Sequence, residues 1–88
     1  MTTTEGELFK RCRRALGLSQ SETASAMLVV SDRTIRRWED GDREVAGPAW
    51  VALEVLLRQA HQPELATEVK TLIEHRRAAN LRRTAAEP

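Results

Sequence analysis

Residues 19–41 read SQSETASAMLVVSDRTIRRWEDG, a pattern of two short helices joined by an apolar turn. Ser19 is a good N-cap, and Glu22 three residues on completes a capping box. Ala24 and Met27, at i and i+3, share one face. Ser31 opens the second helix in the same way. Ile35 and Trp38 form its apolar seam, and Gly41 is a natural stop. Arg33, Arg36 and Arg37 are left on the outer face, with Asp32 at its start. A narrow apolar seam backed by arginines suits a polyanionic partner, because the guanidinium fork matches phosphate oxygens and guanine edges.

This stretch resembles the helix-turn-helix of the Cro/C1 (XRE) family of phage and bacterial repressors. The resemblance is carried by Leu18-Ser19-Gln20, Glu22, Ala24, Val30-Ser31, Arg33-Thr34-Ile35, Arg37-Trp38-Glu39 and Gly41, and extends from about Leu8 to Leu57. Two departures stand out. The turn reads Leu28-Val29-Val30 where the family usually has a glycine, and the span from Gln20 to Ile35 is one residue longer than usual. Both bear on the aim of the second helix.

The chain has 88 residues, one domain near the lower limit for a self-sufficient core, and such chains often gain stability by pairing with a second copy. Helix formers dominate, and there are two Trp, one Phe and no Tyr, so the fold class expected is all-α. A net charge of +1 argues neither for nor against nucleic acid, so the position of the charges must decide. The single Cys12 rules out an internal disulfide and fits a reducing cytosol. There is no apolar run of membrane-spanning length and no signal peptide at the start.

Three further helices flank the central pair. Thr4-Glu5-Gly6-Glu7 is a capping-box pattern, so a first helix should run from Glu5 to Leu16 and stop at Gly17, burying Leu8, Cys12, Ala15 and Leu16. Lys10, Arg11, Arg13 and Arg14 fall mostly on its solvated side. Pro48 suits the first turn of a fourth helix reaching Ala60. Trp50, Leu53, Leu56 and Leu57 share its inner face, widened by Val51 and Val55. Gln62-Pro63 breaks the pattern, and a fifth helix should run from Glu64 to Asn80 with the stripe Leu65, Val69, Leu72 and Ile73. The expected organisation is a helix-turn-helix domain over 4–61, a C-terminal dimerisation helix over 63–80 and a flexible tail over 81–88. In terms of the resemblance this is a five-helix, lambda-repressor-like arrangement.

Arg33 and Arg37 lie four apart on one line of their helix, which makes them the first candidates for base edges, most simply guanine. Arg36 points sideways, towards phosphate. Asp32 either stabilises its helix N-terminus or accepts from a cytosine amino group. Ser31 and Thr34, at a helix start whose free N–H groups favour anions, are candidate phosphate contacts, although capping alone would explain Ser31. The resemblance adds Gln20 as a contact to the phosphate backbone beside the groove, and Arg43 as a nearby phosphate contact. Trp38 and Trp50 read as core. Glu39 should pair locally with an arginine of the first or fourth helix. His61 and His75 are isolated, so no metal site, cofactor or small-molecule ligand is evident. No catalytic constellation stands out, so an enzyme is not expected.

The expected partner is double-stranded DNA, read in the major groove at an inverted repeat by a homodimer. Leu65, Val69, Leu72 and Ile73 would form the interface between copies. The expected action is repression by occluding a promoter, in the manner of a phage or mobile-element regulator. The family also includes autorepressors of anti-CRISPR operons. An antitoxin that binds both DNA and a toxin, or a helical adaptor that binds protein alone, are the alternatives. Three arginines on the outer face count against the adaptor.

Overall fold

A computed structural model describes residues 4–28 and 31–86, with side chains to residue 82. The helices are set by their caps. Thr4 Oγ1 accepts from Glu7 N at 3.1 Å and opens α1, Glu5–Ala15. Ser19 and Glu22 make the reciprocal capping box that opens α2, Gln20–Met27. Ser31 caps α3, Asp32–Asp40, and Gly41 closes it in the left-handed region at φ 83°, which only glycine adopts without cost. The α2–α3 turn begins with Leu28, also left-handed at φ 59° and 89% exposed. Val29 and Val30, which hold the rest of the unusual turn, lie outside the described residues.

The core forms where α1, α3 and α4 (Gly47–Gln59) meet. Phe9 stands edge-on to both tryptophans, with ring centroids 5.6 Å from Trp38 and 5.8 Å from Trp50. Cys12, Ile35, Val45, Leu53 and Leu57 pack around them. Both tryptophans are core, as expected. The expected inner face of α1 needs correcting. It is centred on Gly6, Phe9 and Cys12, while Leu8, Ala15 and Leu16 are only half-buried. Gly6 sets this rotation. A Cβ there would come within 2.4 Å of Trp38 O and 2.8 Å of Glu39 O, so α1 meets the backbone of α3 where only glycine fits. Val51 and Val55 do not widen the buried face of α4 but stand exposed on its outer side.

The last helix, α5, runs over Pro63–Ala86, past the expected end at 80. Residues 81–86, expected to form a flexible tail, are helical, and the last two tail residues lie outside the described set. The α5 helix packs chiefly along α4 of its own chain. Ala66 and Val69 are buried there, and Leu65, Leu72 and Ile73 pack partly buried against the same core. The stripe expected to be covered by a second copy is therefore largely covered within the chain, and Val69 has no surface left to offer a partner. The physical reason is that the four preceding helices do not close their own core. Trp50 of α4 and Ile73 of α5 wall the same groove, and burying apolar surface inside one chain avoids the entropy lost on association.

Three ion pairs tie α5 in place. Arg11 Nη2 meets Glu68 at 3.3 Å, and Arg76 Nη2 meets Glu44 at 3.1 Å and also pairs with Glu5. Arg76 Nη1 donates to Val45 O at 2.8 Å. A single side chain on α5 thus links the start of α1 to the loop between α3 and α4.

Candidate nucleic-acid interface

The α3 helix buries Ile35 and Trp38 and turns Glu39 towards α1, while Asp32, Arg33, Arg36 and Asp40 face outward. Arg33 and Arg36 are exposed and Arg37 is half-buried on the flank. Among the described residues no carboxylate pairs with any of the three, nor with Arg43. Exposed acidic residues flank them at both ends, Asp32 at the start of the helix and Asp40, Asp42 and Glu44 at and beyond its end. Arg33 lies in the first turn, beside the partial positive charge of the helix end, and Arg37 in the last, so the arginines run along most of the helix.

Ser31 caps α3, its Oγ 3.4 Å from Thr34 N and 3.3 Å from Thr34 Oγ1. Ser31 is exposed and Thr34 half-buried, so both hydroxyls are committed to each other while remaining at the surface. Asp32 is exposed as the first helical residue, where a carboxylate complements the helix end. These four, Ser31 to Thr34, form one cluster. Arg43 does not join it. It lies in the loop after α3, its N–H bound to Arg37 O at 3.4 Å, beside the start of α1. Six helical residues, Ile35 to Asp40, separate the cluster from the loop that carries Arg43, about 9 Å along the axis.

Gln20 opens α2, half-buried, and its Nε2 donates to Glu39 Oε1 at 3.2 Å. It belongs to a network that the sequence indicated only in part. Glu39 does pair with an arginine of α1. Arg13 Nε reaches Glu39 Oε2 at 2.7 Å and Nη2 reaches Oε1 at 3.0 Å, while Nη1 donates to Leu18 O at 3.0 Å. This two-pronged pair leaves the side chains only 12% and 3% exposed, and the bond to Glu39 raises the Arg13 pKa further above its already high ordinary value. Arg13 thereby clamps α1 to α3 and to the segment leading into α2, so the arginines of α3 project from a fixed platform. Arg13 stands in a cluster with Lys10, Arg11 and Arg14, and what separates it from them is a partner that is itself almost fully covered.

Other chemistries find little support in the same geometry. Burial pushes the Cys12 thiol up to about 11, so it stays protonated beneath α1. Among the described residues no three His, Cys, Asp or Glu side chains are grouped to hold a metal ion. No described helix is long and apolar enough to cross a membrane.

Comparison with curated proteins and with solved structures gives no match. The helix-turn-helix family model matches residues 9–59, from the buried Phe9 of α1 through the end of α4. That match covers more than half of the chain and contains the Arg13–Glu39 clamp and both caps of the central pair, so the chain belongs to the Cro/C1-type (XRE) helix-turn-helix family of DNA-binding transcription regulators.

Proposed function

We propose that this protein is a sequence-specific repressor that inserts α3 into the major groove of double-stranded DNA at an inverted repeat. The observation that carries the proposal is the arginine face of α3, without carboxylate partners among the described residues and held by the Arg13–Glu39 pair. Arg33 and Arg37 read base edges, most simply guanine, and Asp32 is placed to accept from a cytosine amino group. Arg36 and Arg43 neutralise phosphates, and Ser31, Thr34 and the start of α2 at Gln20 hold the backbone. Occupancy of such a site blocks a promoter, which makes autorepression of phage or mobile-element type the simplest regulatory role. The protein acts in the cytoplasm, where its DNA lies.

A homodimer completes this reading, with two α3 helices about 34 Å apart to meet successive turns of B-DNA. Val69 is excluded from the contact by its burial, so the second copy rests on the parts of Leu65, Leu72 and Ile73 still open to solvent. Val55 of α4 and Leu81 of α5 are also exposed and offer further apolar surface.

Selection of bound sequences from random duplexes tests the proposal, and a two-fold consensus is expected. Arg33→Ala should then cost about 1–3 kcal/mol at the selected site and less on scrambled DNA. Equal losses on both duplexes would reduce Arg33 to a phosphate contact, and a consensus without two-fold symmetry would remove the dimer.

A further inference from the structure

Between the start of α4 and the outer half of α5 lies a groove of about 530 Å³, walled by Val45, Trp50, Val51, Ile73 and Ala79 and flanked by Arg76 and Arg77. Its size falls within the range of small-molecule sites. Two independent features call for an acceptor there. Trp50 is fully buried, yet its indole Nε1–H has no partner among the described residues, and neither has the buried Nε–H of Arg76. Buried donors without acceptors are rare in folded proteins. The α4 helix also begins at this groove without a side-chain cap; Pro48 carries no N–H and the Ala49 and Trp50 N–H groups bond Ala46 O, which leaves the Gly47 N–H at its positive end. Every orphan group is a donor, and the exposed Arg77 adds a full positive charge. Glu44 reaches Arg76 through Nη2 only and leaves Nε unmet. Val45, Val51, Ile73 and Ala79 make the walls largely apolar, and Asn80 adds a polar side chain at the outer end.

We propose that this groove binds a small apolar carboxylate, with its oxygens towards Trp50 and the start of α4 and its apolar body along Val51, Ile73 and Ala79. The two orphan nitrogens lie beneath the present surface, so the incoming carboxylate displaces Glu44, the more exposed of the two carboxylates on Arg76. Glu44 belongs to the loop that leaves α3, so occupancy alters the segment carrying Arg43.

The test uses the full chain labelled with ¹⁵N and no DNA, so its outcome is separate from that of the regulatory reading. Benzoate and 4-phenylbutyrate are titrated against 4-phenylbutylamine while the two indole N–H resonances are followed. The Trp50 resonance should shift saturably with the acids and not with the amine, with Trp38 as the internal control. Val51→Glu, at an exposed wall position, should weaken the acids several-fold, whereas Val51→Lys should not. No Trp50 shift up to the solubility limit overturns the proposal, as does an equal response to the amine. A Trp50 shift on raising the protein concentration alone would assign the groove to a second copy instead.

Discussion

Arg13 and Arg33 are the same residue type, each on a helix whose opposite face is buried, yet they stand in opposite surroundings. Arg13 is held at both prongs by Glu39, with little of its side chain exposed. Arg33 is exposed and makes no ion pair among the described residues. A buried pair contributes because removing one partner leaves the other charge in a low dielectric. An exposed arginine contributes almost nothing to folding and keeps its fork free for a ligand. Arginines of this chain should therefore divide into those that hold the fold and those that hold DNA, and solvent exposure with partner geometry should sort them.

The largest expected effect is that of Arg13→Ala, which leaves the 3% exposed Glu39 carboxylate without a countercharge and with the Gln20 amide as its remaining donor. About 3–5 kcal/mol of stability should be lost, read by urea unfolding. A loss below about 1 kcal/mol would place Arg13 with the surface charges. Arg76→Ala comes next. Its side chain is 21% exposed, but the carboxylates it meets are more open, so about 1–2 kcal/mol is expected after allowing for solvent screening. Arg11→Ala should cost no more than about 1 kcal/mol, because both partners of that pair are 49% exposed. If Arg11 proved as costly as Arg13, exposure would not be the sorting variable.

Arg36→Ala sharpens the other side of the comparison. Stability should stay within about 0.5 kcal/mol, while the slope of log affinity for DNA against log salt falls by roughly 0.9. An unchanged slope would remove Arg36 from the phosphate contacts.

The smallest effect concerns an exposed carboxylate whose partners are local. The Ser19 backbone N–H, and after it the Ser19 side chain, lowers the Glu22 pKa from its ordinary value. A group whose folded-state pKa is depressed contributes stability above its unfolded pKa and loses it as pH falls through the folded value. The stability gap between wild type and Glu22→Gln should therefore narrow on acidification from about pH 7 to about pH 3, across the carboxylate range. A gap that stays constant would mean that the charge of Glu22 plays no part in the cap.

The caps of α1, α2 and α3 and the stop at Gly41 were all legible in the sequence, because each is a contact within three or four residues along the chain. The outward arginines of α3 were legible for the same reason. Once Ile35 and Trp38 face inward, helical periodicity places Arg33 and Arg36 outside. Where two faces competed, local pattern had no vote. Leu8 and Phe9 both match a helical stripe with Cys12, and only the close approach of Gly6 to the α3 backbone turns Phe9 inward. The same limit explains the partner of Arg13, which is 26 positions away, and the placement of α5. An amphipathic stripe states that apolar surface must be covered, but not by which surface. That choice depends on whether α1 to α4 leave Trp50 open. The residues themselves therefore determined the helices, their caps and the charged face of α3. Only tertiary packing decided the rotation of α1, the fixed platform behind that face and the folding of α5 onto its own chain, since these depend on groups that chain proximity does not bring together.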